Sequence, residues 1–177
     1  WTPIIDDVGN LVIKVPGSPG KEDSPTIVLQ GHLDMVCEKN NDVDFDFETQ
    51  GIDAFVTGSR MKARGTTLGA DNGIGLALAL ALAADPEVVR GPLEILCTVE
   101  EETGLTGASG LDGSNLDGRV LINIDTEEEG ALYVGCAGGG DQIAHFRAPR
   151  MPADPDLEAV RIQVKGLKGG HSGLDIH

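Results

Sequence analysis

Apolar positions gather in four short runs, residues 11–15, 27–29, 93–99 and 120–124. The last three are nearly continuous rather than alternating, which is the pattern of strands covered on both faces in a parallel or mixed α/β sheet. Between the second and third runs, a Leu/Ala repeat over residues 73–84 predicts a helix. It is apolar almost all round and is therefore expected to be well buried. Asp85-Pro86 stops it, and Asn72 or Asp71 is expected to cap its start. A shorter helix is expected between residues 104 and 111. Alternating strands and helices predict an α/β layer architecture.

The character changes after Tyr133. Residues 135–140 read Gly-Cys-Ala-Gly-Gly-Gly and resemble a hinge. Two strand-like stretches follow, 142–147 and 158–165, joined by a Pro-containing link. The expected division is therefore a first domain over residues 1–136 and the start of a second over 137–177.

Composition narrows the picture. Aromatic residues make up only 3% of the chain, so the core must be built from Ala, Val, Leu and Ile. The 177 residues suffice for one domain and the beginning of another. Because the sequence starts at Trp1 rather than Met and stops at His177, we expect a fragment of a longer chain. The formal net charge of −16 argues against nucleic acid and anionic membrane as partners, since both require a basic face. Cys37, Cys97 and Cys136 are odd in number and far apart, which fits free thiols in a reducing, cytoplasmic compartment. Residues 76–84 are too short an apolar run to cross a bilayer.

The chemistry lies at the ends of the predicted strands. The second run leads into Gly31-His32-Leu33-Asp34, the third into Glu100-Glu101-Glu102-Thr103-Gly104, and the fourth into Asp125. Ligands of open α/β sheets bind beyond the carboxyl ends of the strands. Asp71, at the start of the buried helix, faces the same edge if the fold is of this kind. Carboxylates gathered there repel one another and resist ionisation unless a cation is present. Acids with a histidine suit zinc, and a bridging carboxylate suits a pair of ions. No nucleophile elbow, phosphate-binding loop or EF-hand spacing is present.

Three segments carry a resemblance: Gln30-Gly31-His32-Leu33-Asp34-Met35-Val36, residues 65–73 around Gly69-Ala70-Asp71-Asn72-Gly73, and Thr98-Val99-Glu100-Glu101-Glu102-Thr103-Gly104. They resemble the co-catalytic zinc peptidases, which include the glutamate carboxypeptidases, peptidase T, acetylornithine deacetylase and aminoacylase. Residues 35–40 and the ending 168–177 are similar to the subgroup of bacterial aminoacyl-histidine (Xaa-His) dipeptidases. The resemblance implies a three-layer catalytic domain, a mixed sheet flanked by helices, followed by the beginning of an α+β lid domain.

It also implies roles. His32 and Asp125 would hold one Zn2+, Glu102 the second, and Asp71 would bridge both; Co2+ or Mn2+ are substitutes. Asp34 would hydrogen-bond the His32 ring and fix its tautomer. Glu101 would be the general base and acid, working on a metal-bridging hydroxide. His171 would bind substrate or stabilise the developing oxyanion. The implied activity is hydrolysis of dipeptides, Xaa-His (carnosine-like) substrates above all, by a homodimer. An amidase or deacylase of N-acyl amino acids and a non-catalytic acidic metal-binding module are the alternatives. The family's last histidine ligand lies in a downstream motif that His145, His171 and His177 do not match, so this piece alone is expected to bind metal weakly.

Overall fold

In the computed structural model, residues 1–126, 128, 130–136, 138, 142–147, 149–152 and 154–166 are described. The chain divides into two units, Trp1–Ala131 and Leu132–His177, a division that falls before Cys136.

The first unit is built on a five-stranded mixed sheet. Its strands are β1 (Ile4–Ile5), β2 (Leu11–Val15), β3 (Ile27–His32), β6 (Leu93–Thr98) and β7 (Val120–Asn123), in the order β1-β2-β6-β3-β7. A separate hairpin pairs β4 (Ala54–Thr57) with β5 (Arg60–Ala63). The three strands that end in acids or histidine, β3, β6 and β7, run parallel, while β2 lies antiparallel to β6. Helix α1 (Ala70–Ala84) connects β3 to β6, the long crossover that a parallel pair requires. The chain then passes back over β3 to place β7 on its far side. Because the direction of travel reverses, right-handed crossovers send the two connections to opposite faces. The core is divided accordingly. Leu76, Ala79 and Ala83 of α1 pack with Leu29, Ile95 and Cys97 on one face. On the other, Val12, Val28 and Leu96 meet Leu111 and Leu116, which flank a 3-10 turn at Gly113–Asn115.

β6 is the centre of this arrangement, with all six residues buried, Glu94 and Thr98 included, as its nearly continuous apolar run implies. β7 differs from expectation. Its apolar run predicted cover on both faces, yet all four residues are exposed, because it is the last strand of the sheet and nothing described packs over it. Helix α1 likewise buries a single stripe. Ile74 is 71% and Leu78 52% exposed, so its apolar circumference does not mean burial all round. Helical geometry proper begins after Asn72, since Asp71 and Asn72 both have non-helical backbone angles. Gly69 occupies the cap position, with no side-chain cap bond, so neither Asp71 nor Asn72 acts as the predicted cap. The short second helix, α2, is reduced to Thr106–Ser109.

In the second unit the described residues of the stretches 142–147 and 158–165 form no strand. Their apolar side chains, Ile143, Phe146, Val160, Ile162 and Val164, are exposed. An alternating sequence becomes a strand only where a neighbouring backbone accepts its hydrogen bonds, and none is present among the described residues.

Candidate metal centre

The parallel register brings the ends of β3 and β6 side by side, with His32 opposite Thr98. His32 is the last residue of β3 and is buried. Its Nδ1 lies 2.9 Å from the backbone carbonyl oxygen of Asp34. A carbonyl only accepts, so Nδ1 carries a hydrogen; Nε2 donates to the Asp71 carboxylate when it is protonated and is able to ligate when it is not. Nε2 stands 3.0 Å from Oδ1 of Asp71 and 3.7 Å from Oδ1 of Asp125. His32, Asp71 and Glu102 each offer a ligand atom, and these atoms lie within 4.8 Å of one another.

Asp34 holds the site by a different contact from the one expected. Its carbonyl, not its carboxylate, anchors the His32 ring; the carboxylate is 3.5 Å from Nδ1. The carboxylate instead accepts two backbone hydrogens, from the N–H of Glu101 at 3.0 Å and from that of Glu102 at 3.1 Å. One aspartate thereby fixes the histidine at the end of β3 and the paired glutamates after β6. From beneath, the buried side chain of Asn10 accepts the Val99 N–H and donates to the Gly107 carbonyl. The turn that carries Glu101 and Glu102 is thus tied on two sides. Its bend places Glu100 in the left-handed region, at φ 53°.

A further strap crosses the sheet just below these ends. Asn123 donates to Gln30, and Gln30 donates to Thr98. The Oδ1 of Asn123 accepts the N–H of Asp125 at 3.2 Å. Asn72 donates to Asp125 and to the carbonyl of Ile124. The sequence reading did not assign the amides Gln30, Asn72 and Asn123 to the site. Their signal was faint: each is a polar residue within or beside an apolar run.

The electrostatics describe an anionic pocket in need of a cation. Burial, then Asp71 and the other neighbouring carboxylates, push the Asp125 carboxyl up to about 6 despite the opposing pull of His32. Burial, Asp71 and Glu101 also raise Glu102. Burial draws the His32 imidazolium down, but the bond to Asp71, the Asp125 charge and the Asp34 carbonyl outweigh it, and its pKa lies above the ordinary value. Asp34 moves the other way: burial opposes ionisation, yet the two N–H donors hold its carboxyl below the usual carboxylate range. Carboxylates that resist ionisation beside one neutral imidazole nitrogen form the donor set that a divalent ion with mixed N/O preference takes. His171 lies outside the described residues.

Beside the ligands opens a cavity of about 290 Å³, lined by Met35, Val36, Leu68 and Ala70 together with Asp71 and Glu102. It offers apolar wall directly against the acids.

Comparison with known proteins agrees with this frame. The chain is 52% identical over 172 residues to a cytosol non-specific dipeptidase of Escherichia coli (strain K12), covering 97% of this chain and 36% of that protein. It is 31% identical over 123 residues to the uncharacterized protein YqjE of Bacillus subtilis (strain 168), covering 67% of this chain and 30% of that protein. It therefore spans about a third of the length of these curated relatives. Among solved structures, it is similar to an aminoacylhistidine dipeptidase from Vibrio alginolyticus. There the TM-score is 0.72 and the identity 48%, over 76% of this chain and 27% of that one. An aminopeptidase PepT from Bacillus cereus, at 24% identity and a TM-score of 0.57 over 72% of this chain and 34% of that one, shares the fold. Residues 28–160 match the model of Peptidase family M20/M25/M40, and the chain belongs to that family.

Proposed function

We propose that this protein is a metal-dependent dipeptidase, with Xaa-His dipeptides among its substrates, and that it carries two zinc ions. One observation carries the reading. His32, Asp71, Glu102 and Asp125 converge from three parallel strand ends and the start of α1, and burial with neighbouring negative charge raises the carboxyl groups of Glu102 and Asp125. The dipeptidase names of the Escherichia coli and Vibrio alginolyticus relatives support the substrate class.

In this reading His32 and Asp125 would hold one ion and Glu102 the other, with Asp71 available to both. Bound zinc would supply Lewis-acid polarisation of the peptide carbonyl and a more acidic water. The remaining work falls to the chain itself. Glu101 takes the proton from that water and later delivers it to the departing amine. Asp34 keeps Glu101 and Glu102 apart by holding their backbones, so that one serves the proton and the other the metal. The apolar cavity beside Asp71 and Glu102 accepts a substrate side chain. His171 contributes to substrate binding, and the unit from Leu132 onward makes a homodimer contact. A cytoplasmic location agrees with the cytosolic relative, and no helix of the described residues is long and apolar enough to cross a membrane.

The test is side-by-side turnover of β-alanyl-histidine, other dipeptides and N-acetyl amino acids by the zinc-loaded protein at its full natural length. Dipeptide cleavage that stops on chelation and returns with zinc is expected. Faster turnover of the acetylated compounds would instead make the protein a deacylase on the same frame. Stoichiometric metal uptake without hydrolysis of either class would make it a binding module.

A further inference from the structure

Asn72 follows Asp71 directly, yet its side chain serves a different strand. It is 3% exposed. Its carboxamide gives one hydrogen to the carbonyl oxygen of Ile124, at 2.9 Å, and another to Oδ1 of Asp125, at 2.6 Å. These acceptors mark the point where the chain leaves β7. That strand is exposed along its whole length; at its exit Ile124 packs on the core and donates its N–H to the Gln30 carbonyl, and the Asn72 carboxamide adds the side-chain bonds. The oxygen that Asn72 holds is the same Asp125 oxygen that faces Nε2 of His32.

The type of side chain fits the task. A lysine here would neutralise Asp125 and compete with a cation. A carboxylate would repel it. A primary amide offers two hydrogens in one plane and no charge. Its own oxygen, Oδ1, is buried with no hydrogen-bond partner, so the donors set its orientation. Two glycines open the space it fills. A Cβ on Gly31 would collide with Asn72 Oδ1; one on Gly75 would meet the backbone carbonyl oxygen of Ile124 at 2.6 Å and Asn72 Oδ1 at 2.7 Å. Gly31 immediately precedes His32 and Gly75 lies in the first regular turn of α1, so both glycines flank the site without offering it a ligand.

We infer that Asn72 is the positioning residue that presents Asp125 to the first metal ion, and that Gly31 is glycine in order to admit its carboxamide, while Gly75 leaves room for both that carboxamide and the Ile124 carbonyl that it binds. This rests on the metal-site reading above. Groups that orient metal ligands typically change affinity or activity about 10–100-fold when lost.

Zinc affinity, measured by chelator competition on the protein at its full natural length, tests this together with the thermal midpoint of the metal-free form. Asn72→Leu keeps the branched shape and the number of side-chain heavy atoms and removes both donors. It is expected to weaken one of the two ions about 10–100-fold, to leave the other within about threefold, and to keep the metal-free midpoint within a few degrees. Asn72→Ser, a smaller polar change, serves if the leucine variant does not fold. Gly31→Ala, whose Cβ would run into the Asn72 carboxamide before any backbone atom, is expected to reproduce the selective loss. Two ions held with wild-type affinity in a folded Asn72 variant would overturn the inference. So would equal weakening of both ions together with a large drop in the metal-free midpoint, which marks a merely structural residue. If the wild-type protein takes up no zinc, the proposed function itself fails, and the two failures are distinct.

Discussion

Replacing Asp34 by Asn changes one atom and tests how the acid turn is held. The carboxylate accepts the N–H of Glu101 at 3.0 Å and that of Glu102 at 3.1 Å. Hydrogen bonds to a charged partner contribute about 1.5–3 kcal/mol each. The Asp34 side chain is 26% exposed, which favours the lower half of that range, about 3–4 kcal/mol for the pair. Asparagine keeps one acceptor, uncharged, and turns an amide donor toward the second N–H. About 3 kcal/mol is then lost, and since about 1.4 kcal/mol is tenfold, kcat/KM for β-alanyl-histidine is expected to fall about 100-fold. The His32 ring contact runs through the Asp34 carbonyl and is kept, so the ion assigned to His32 is expected to stay bound while the one assigned to Glu102, whose backbone the carboxylate holds, is expected to weaken. The pH dependence carries a sign. Because the folded carboxyl titrates below its unfolded value of 3.8, its stabilising effect is present above that value and is lost as pH falls through the folded one. The stability gap between wild type and Asp34→Asn should therefore be full at neutral pH and close in acid. Turnover within about threefold of wild type, with zinc retained, would refute the clamp.

Glu101→Gln should cut kcat about 10²–10⁴-fold while leaving zinc content nearly unchanged, as expected for a group that moves protons rather than holding metal; mass-spectrometric metal analysis beside steady-state kinetics checks this, and surviving activity would remove Glu101 as the base. Zinc uptake should release protons and weaken as pH falls, because Asp125, pushed up to about 6, and His32, raised above 6.5, must both lose their protons to ligate; titration calorimetry in buffers of different ionisation enthalpy measures the release, and an affinity constant from pH 8 to pH 5 would contradict it. Ile95→Ala, at a fully buried position in the central strand, should cost about 2–5 kcal/mol of stability by denaturant unfolding; a loss below 1 kcal/mol would mean that β6 is not the centre of the core.

The legible parts of the molecule were those whose chemistry interrupts an apolar run. β3 ends in His32-Leu33-Asp34 and β6 runs out into Glu100-Glu101-Glu102, so the sequence itself places acids at strand ends. Burial was less legible, because an apolar run does not state which element will cover it. Val120 to Asn123 and Leu76 to Ala84 look alike in hydropathy, yet α1 finds β3 and β6 on one side while β7 stays open. The hairpin of β4 and β5 was missed because its strands are four residues each and mostly exposed, with too little alternation to register. The supports of the site were the least legible. Asp34 works through its carbonyl and through two backbone N–H groups, and backbone partners leave no mark in the side-chain pattern. Asn72 looked like a helix cap because it sits where caps sit. Its partners, the Asp125 carboxylate and the Ile124 carbonyl, lie more than fifty residues away in sequence and come beside it only in the fold.

The most direct test of the metal centre is a crystal structure of the zinc-loaded protein at its full natural length, with anomalous data collected on both sides of the zinc edge. The account predicts two peaks about 3.5–4 Å apart, as in other two-metal sites, with Asp71 between them, His32 and Asp125 on one and Glu102 on the other. No anomalous peak within coordination distance of His32 and Asp71, or zinc bound only at other acids of the chain, would contradict it.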